Sequence, residues 1–142
     1  MKKFMLLSLF TFGVTFSYAQ CDKELTLISS KTEYLDGSGN LQRTVDEESN
    51  IEIKKSEVTI TPGSGDRTMV GKIESTTCNW PAAYKEGKTV IKAIFEDGGQ
   101  NLHVTITLEG KEGNTTFLLE IAEMPDRKIR VLITSFKEFQ KN

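Results

Sequence analysis

The sequence predicts an all-β protein built as a single antiparallel meander of about eight strands. Three observations lead to this prediction. Apolar and polar residues alternate along many short segments, turn-forming residues separate these segments, and no segment has the periodicity of a long amphipathic helix. Val, Ile and Thr supply a quarter of residues 20–142, and such β-branched side chains favour strands over helices.

The first half of the domain contains about four predicted strands, and their order along the chain is 25–35, 41–47, 50–61 and 67–77. The third of these contains a possible break at Lys55-Ser56. Ile51 and Ile53 alternate with polar neighbours, which places their side chains on one face of a strand. We interpret residues 79–84, which include a proline, as a connector with at most one helical turn.

In the second half, from Lys88 to Phe136, the alternation and the turn residues predict a four-stranded meander with short hairpin turns. One strand of it shows the alternation most clearly, with apolar residues at Leu102, Val104, Ile106 and Leu108. Residues that tolerate positive φ or preset a turn separate the strands, at Asp97-Gly98-Gly99, at 110–114 and at Met124-Pro125. The pattern is antiparallel because the strands lack the continuous apolar runs of a buried parallel sheet.

Such a chain can close into an up-and-down barrel or stack as a β-sandwich, and short sequential hairpins favour the barrel. In strand number and meander order, the domain resembles the small exported lipocalin-like (calycin-type) barrels. That resemblance covers the whole domain and implies a lipocalin-like barrel. The Gly-x-Trp motif that lipocalins carry near the first strand is absent, because the single tryptophan, Trp80, lies in the middle of the chain.

The first nineteen residues have the organisation of a secretory signal peptide. Two lysines follow Met1, a mostly apolar run extends from Phe4 to Phe16, and Ser17-Tyr18-Ala19 places small residues where signal peptidase cuts. The apolar run is shorter than the roughly 20 residues of a membrane-spanning helix. We therefore expect residues 1–19 to be removed and residues 20–142 to form one β-barrel-like domain in the periplasm or outside the cell.

Two cysteines, Cys21 and Cys78, remain in the exported domain. Disulfides persist in oxidising compartments and one intramolecular pairing is available, so we expect a Cys21–Cys78 bridge. The alternative is a lipid anchor on Cys21, but Tyr18 and Gln20 stand where lipoproteins have an apolar residue, usually leucine, and a small residue. The two cysteines and the distant His103 lack the close spacing of a zinc site, so we expect no metal and no cofactor.

Length and charge exclude further classes of protein. Residues 1–19 carry two lysines and no carboxylate, so their removal changes the net charge from −2 to −4. We therefore expect no basic surface for nucleic acid and no membrane-spanning segment in the exported domain. A domain of this length forms one hydrophobic core and is too short for two.

The residue types that catalysis uses are sparse. His103 is the single histidine, and strand alternation places it with Thr105 and Thr107 on the polar face, where we expect solvent. If the strand faces the other way, the histidine points into a threonine-lined cavity. The segment Asp36-x-Ser38-x-Asn40, followed by Glu47, matches the ligand spacing of a calcium loop without its glycine, and we interpret it as a hairpin turn.

Two acidic clusters, Asp46-Glu47-Glu48 and Glu96-Asp97, are the remaining candidates for catalysis. Paired carboxylates that hydrolyse glycosides face each other across a cleft, whereas consecutive residues of a strand point to opposite faces. We expect both clusters to be solvated strand ends. The sequence therefore favours a protein that is not an enzyme.

Trp80 and Tyr84 are the candidate contact residues. They flank Pro81 and follow Cys78 closely, so the predicted disulfide would fix this segment at one end of the barrel. They form either a hydrophobic plug that closes the barrel end, which we favour, or a lid or contact patch for a ligand.

Two functions are compatible with these features. The first is the binding of a small apolar or amphipathic ligand inside the barrel. The alternative is an interaction module or inhibitor that contacts an envelope protein through a loop at residues 79–87. Side chains alone can fill an eight-stranded barrel, so the sequence leaves a ligand cavity and a solid core equally open.

Overall fold

The computed structural model describes residues 21–63 and 67–139, so the signal peptide predicted for residues 1–19 lies outside the described residues. The described chain forms nine strands and contains no helix. It therefore contains no helix with the length and apolar character that crossing a membrane requires. The strands are β1 (Leu25–Asp36), β2 (Leu41–Asp46), β3 (Asn50–Ile53), β4 (Glu57–Thr61), β5 (Met69–Ala82), β6 (Glu86–Asp97), β7 (Gln100–Lys111), β8 (Asn114–Ile121) and β9 (Arg127–Glu138).

Eight of these strands close into an antiparallel barrel. From β3 to β9 each strand pairs with the next along the chain, and β1 joins the two ends by pairing with both β3 and β9. Strand β2 is the additional strand, and it pairs with the second half of β1. The predicted all-β meander barrel is therefore confirmed, and the sandwich alternative is not adopted.

Strands β2 and β3 act as two parts of one long partner of β1, separated by residues 47–49. At this break, the backbone N–H of Ser29 donates to the carbonyl of Ser49, and the N–H of Ser49 donates to the hydroxyl of Ser29, both at 3.0 Å. The Thr32 hydroxyl donates to the Glu47 carboxylate at 3.2 Å. Buried polar groups in the barrel wall are thus paired where the ladder is interrupted.

The strand positions agree with the sequence prediction except around residues 79–84. The predicted break in the third segment is present, because residues 54–56 separate β3 from β4. The predicted connector is wrong for residues 79–82, since β5 continues to Ala82 and a tight turn leads to β6 at Glu86. Register shifts after Ile73 and Asn79 let this strand bend and accommodate a proline.

The two ends of the barrel are defined by their turns. We call the end with the turns 54–56, 83–85 and 112–113 the closed end, and the end with residues 37–40, 62–63, 67–68, 98–99 and 122–126 the open end. Fully buried apolar side chains fill the barrel between its middle and the closed end: Phe117, Leu27, Ile51, Ile91, Ile106, Leu108 and Val58. These side chains belong to the hydrophobic core of the barrel.

Candidate functional site

Trp80 closes one end of the barrel. Its side chain is 5% exposed, and its indole Nε1–H donates to the hydroxyl of Thr89 at 2.7 Å. Gly110 lies directly against the ring, since a Cβ at this position would come within 2.6 Å of it. Trp80 also packs edge-on against Phe136, with ring centroids 5.5 Å apart.

Tyr84 lies at the tip of the β5–β6 hairpin, next to this cluster. It has a positive φ of 62°, which is uncommon for a residue other than glycine. Its half-buried ring packs edge-on against Phe136 at 4.9 Å between centroids. Burial beside this apolar cluster raises the pKa of the Tyr84 phenol, and the nearby Glu138 carboxylate raises it further. We call Trp80, Tyr84 and Phe136 the aromatic plug.

The predicted Cys21–Cys78 disulfide is present and joins the chain before β1 to strand β5. Cys78 precedes Trp80 by two residues, and the Thr89 hydroxyl that accepts from Trp80 also donates to Cys78 Sγ at 3.4 Å. The bridge and the aromatic plug therefore form one connected structure. In this bridge the Cys21 sulfur, on which a lipid anchor would be built, is bonded to Cys78. The bridge is consistent with an exported protein in an oxidising compartment.

The open end contains a cavity of about 480 Å³, which we call the open-end cavity. Its walls come from β4 to β8, and its lining is mainly apolar: Ile60, Pro62, Met69, Val70, Phe95, Leu102, Val104, Leu119 and Ile121, with Arg67, Thr68, Glu96 and Asp97 at the rim. Its volume lies within the roughly 300–1,000 Å³ of small-molecule sites in proteins. A depression of about 470 Å³ lies beside the Cys21–Cys78 bridge at the closed end, so the mainly apolar lining, and not the volume, distinguishes the open-end cavity.

Phe95 lines the open-end cavity, and Gly71 lies against its ring. They are register partners, and a side chain at Gly71 would occupy the space that the Phe95 ring fills. The ring is 7% exposed, so it forms a wall of the cavity with one face against the backbone of β5. Because position 71 has no side chain, the Phe95 ring can lie there instead of projecting into the cavity.

The rim of the open-end cavity combines exposed apolar side chains with charges. Met69 is 45% exposed and Val70 is 50% exposed, and both are among the most exposed large apolar residues of the described chain. A guanidinium nitrogen of Arg67 lies 3.5 Å from a carboxylate oxygen of Asp97. A molecule that enters this end therefore passes polar groups before it reaches apolar walls.

His103 lies on the outer face of the barrel wall, as strand alternation predicts, and its side chain is 61% exposed. Its ring Nδ1 lies 2.6 Å from Oε1 of Glu123. This hydrogen bond and the charge of Glu123 raise the pKa of His103 above its ordinary value, and the same bond lowers the pKa of Glu123. Because His103 points away from the open-end cavity, it is not positioned to act on a molecule bound there.

Asp36 stabilises the β1–β2 turn. Its carboxylate accepts backbone N–H groups of Ser38 at 2.9 Å and Asn40 at 2.8 Å, and these bonds, with one from the Asn40 side chain, lower the pKa of Asp36. Glu47 contacts Thr32 instead. The segment is therefore a hairpin turn, and within residues 21–63 and 67–139 no three His, Cys, Asp or Glu side chains are grouped to hold a metal ion.

Sequence reasoning selected Trp80 and Tyr84 and missed the lining of the open-end cavity. The alternation of β7 placed Leu102 and Val104 on the inner face of the barrel, but alternation carries no signal for which inner-face residues border an empty space.

A comparison with protein-family models and one with curated proteins find no match to this chain. Any assignment of function therefore depends on the geometry of the two barrel ends.

Proposed function

We propose that this protein is an exported, lipocalin-like binding protein that holds a small apolar or amphipathic molecule in the open-end cavity. The observation that supports the proposal is the lining of this cavity, in which apolar side chains from five strands border about 480 Å³ of space. Eight-stranded barrels are either filled by side chains or hold one small ligand.

The chemistry of the lining supports an apolar body for the ligand. Leu102, Val104 and Leu119 are each less than a tenth exposed and present aliphatic carbon to the cavity. Transfer of apolar surface from water to such a site is favourable by about 25 cal/mol per Å². The rim groups, Arg67 and Asp97 among them, suit a ligand that has a polar end at the entrance.

The binding of Nile red, a neutral apolar fluorophore, tests this proposal with a matched pair of variants. Met69→Trp places a large ring at the rim of the cavity, whereas Leu41→Trp places the same ring at a residue outside the lining. The two parent side chains are similarly exposed, at 45% and 53%, so neither substitution disturbs the core. We expect Nile red fluorescence to rise with the wild-type protein and with Leu41→Trp, and to rise much less with Met69→Trp.

A wild-type protein that does not enhance Nile red fluorescence would argue against a binding function. Equal binding by all three proteins would place the dye elsewhere on the surface. Native mass spectrometry of the protein purified from its host identifies the natural ligand, because a noncovalent adduct adds its own mass. We expect this adduct to be weaker in Met69→Trp than in Leu41→Trp.

Export is part of the proposal, and the Cys21–Cys78 bridge supports it because disulfides persist in oxidising compartments. Signal-peptide removal predicts that the protein recovered from outside the cytoplasm begins at Gln20. N-terminal sequencing checks this expectation, and a recovered chain that retains residues 1–19 would contradict it.

Contact with an envelope protein through residues 79–87 is the alternative proposal, and the geometry of this hairpin decides how it is tested. Trp80 is buried, so replacing it disturbs the plug instead of the surface. The side chains of Ala83 and Lys85 are exposed at the hairpin tip. If a partner binds here, Ala83→Glu and Lys85→Glu reduce its recovery in a pull-down, and unchanged recovery excludes this surface.

A further inference from the structure

His103 stands directly behind the wall of the open-end cavity. On β7 it separates Leu102 from Val104, which both line the cavity. Glu123 follows Ile121, another lining residue, by two positions. The pair of His103 and Glu123 therefore lies on the outer face of the wall that these three lining residues form on the inner face.

Bonds to His103 fasten the 122–126 turn where the strand ladder has ended. The last register pair between β7 and β8 is Val104 with Ile121. Beyond it, the N–H of Ala122 donates to the carbonyl of His103 at 2.8 Å. The backbone N–H of His103 donates to the Glu123 carboxylate at 2.9 Å, and its ring Nδ1 contacts the same carboxylate at 2.6 Å.

The turn is also held by Met124, which packs against the hydrophobic core, and by Gly37, which lies against its backbone. The ladder between β8 and β9 begins at Glu120 with Lys128, so residues 121–127 lie outside it. Within the turn, the N–H of Met124 donates to the carbonyl of Ile121 at 3.0 Å, which shapes the turn without joining it to β7. Ile121 is held by its ladder pairing with Val104, and the contacts of His103 fasten the turn that follows it.

We propose that His103 and Glu123 form a pH-dependent clamp that controls the release of ligand from the open-end cavity. The inference rests on the proposed binding function. When both side chains are charged, the clamp fastens the turn that follows Ile121 and keeps the wall closed. When either charge is lost, the turn is held less firmly and ligand leaves faster.

The charged groups near His103 and Glu123 determine the pH range in which both side chains of the clamp are charged. The bond to Glu123 raises the pKa of His103 above 6.5 and lowers the pKa of Glu123 below its ordinary 4.5, so both are charged between these values. The carboxylate of Glu74 on β5 favours the charged histidine as well. Strand register places further charges near His103 on neighbouring strands: Lys92 and Glu96, which flank its β6 partner Ile94, and Glu120 on β8, which pairs with Lys128.

Stopped-flow dissociation of Nile red tests the clamp. We expect release from the wild-type protein to be about two- to fivefold faster at about pH 8.5 than at about pH 5.5, the range expected of an exposed ion pair. His103→Gln keeps a polar side chain and removes the charge, so its release rate should be the same at both pH values. A wild-type rate independent of pH, or an unchanged pH dependence in His103→Gln, overturns the clamp.

Ligand binding and protonation must affect each other reciprocally if the clamp is coupled to the cavity. His103 is the single histidine, so its NMR titration reads out this side chain without assignment of other signals. We expect saturation with Nile red to raise the measured pKa of His103. Glu74→Gln serves as the control, because it alters the field at His103 and leaves the clamp and its response to ligand in place.

The outcomes separate the clamp from the binding function. If Nile red binds and the pKa of His103 stays the same, the clamp is overturned and the binding function stands. If Nile red does not bind at all, both the binding function and the clamp are contradicted.

Discussion

The two ends of this barrel are formed by similar strands but differ in how their side chains pack. At the closed end, Trp80 and Phe136 fill the interior, and a disulfide fixes the neighbouring segment. At the open end, aliphatic side chains line a space of about 480 Å³ and exposed apolar residues stand at its rim. The aromatic plug therefore has the close packing of a protein interior, whereas the open end presents the mainly apolar lining of a binding site.

The difference teaches that stability and binding are spatially separated in this small domain. Close-packed regions lose free energy of unfolding when a side chain is removed or added, because their neighbours cannot adjust. A region that borders an empty space adjusts more easily and contributes less to stability. We therefore expect substitutions at the closed end to alter stability and those at the open end to alter binding.

The largest effect is expected for Trp80→Ala, which should lower the free energy of unfolding by about 3–5 kcal/mol. The substitution empties the centre of the aromatic plug and removes the donor that satisfies the buried hydroxyl of Thr89. Urea denaturation followed by circular dichroism measures the loss. Trp80→Phe keeps a ring and removes the hydrogen bond, so it should cost less, about 1–3 kcal/mol.

A loss below about 1 kcal/mol in Trp80→Ala would show that the plug does not support the barrel, since surface substitutions have effects of that size. Nile red binding provides the second half of the comparison. In conditions where Trp80→Phe remains folded, it should bind the dye as the wild-type protein does, because the open-end cavity lies at the other end.

The second largest effect is expected for removal of the Cys21–Cys78 bridge. The two residues are 57 positions apart, and closing a loop of this size contributes about 4 kcal/mol in the chain-entropy model and about 2–4 kcal/mol in typical measurements. The double variant Cys21→Ala, Cys78→Ala should lose this free energy of unfolding. Wild-type protein under reducing conditions should lose a similar amount, and equal stability of the reduced and oxidised proteins would contradict the prediction.

The sequence was sufficient for the barrel because the signals for it are local. Alternation along β7 reports which side chains face inward, and the Gly98-Gly99 pair, with φ values of 59° and 81°, meets the needs of a two-residue hairpin turn. The extension of β5 through Pro81 was missed because it depends on register shifts and on the burial of Trp80, which are tertiary effects.

The open-end cavity could not be predicted because it is a space that no side chain fills. Alternation places Val104 and Ile106 on the same inner face of β7, yet only Val104 lines the cavity. Which of the two borders an empty space depends on the tilt of the strands and on the rings supplied by other strands. The contact between His103 and Glu123 was missed for a similar reason, because 20 residues separate them in the chain.

A matched pair of glycine substitutions compares the two ends directly and should have an intermediate effect. Both Gly110 and Gly71 are buried strand residues that lie against a ring. In Gly110→Ala the new methyl group meets the Trp80 ring at 2.6 Å and the backbone oxygen of Lys85 at 2.8 Å, so we expect a cost of about 3 kcal/mol. In Gly71→Ala the three nearest atoms all belong to the Phe95 ring, which can swing into the cavity, so the cost should be about 1 kcal/mol.

Binding should show the reverse order. A Phe95 ring displaced into the open-end cavity reduces the space for ligand, so Gly71→Ala should weaken Nile red binding. Gly110→Ala should leave the affinity of the folded protein unchanged. Equal costs in stability, or equal affinities for the dye, would contradict the separation of the two ends.

The smallest effect is expected for the pH dependence of stability that arises at His103 and Glu123. The pKa of His103 is raised, so its contribution is fully present below 6.5 and is lost as the pH rises through the higher folded-state value. The pKa of Glu123 is lowered, so its contribution is present above 4.5 and is lost as the pH falls through the lower folded-state value. Stability should therefore be greatest between the two titrations.

Thermal unfolding across this pH range measures the contribution of each side chain. His103→Gln should remove the loss of stability on the alkaline side, and Glu123→Gln should flatten both sides because it removes the partner of the histidine. The His103 side chain is 61% exposed and the Glu123 side chain is 28% exposed, so the effect is small beside that of the closed end. If His103→Gln instead lowered stability as much as Trp80→Ala, the outer wall of the open end would be as important to the fold as the aromatic plug, and the separation between the two ends would fail.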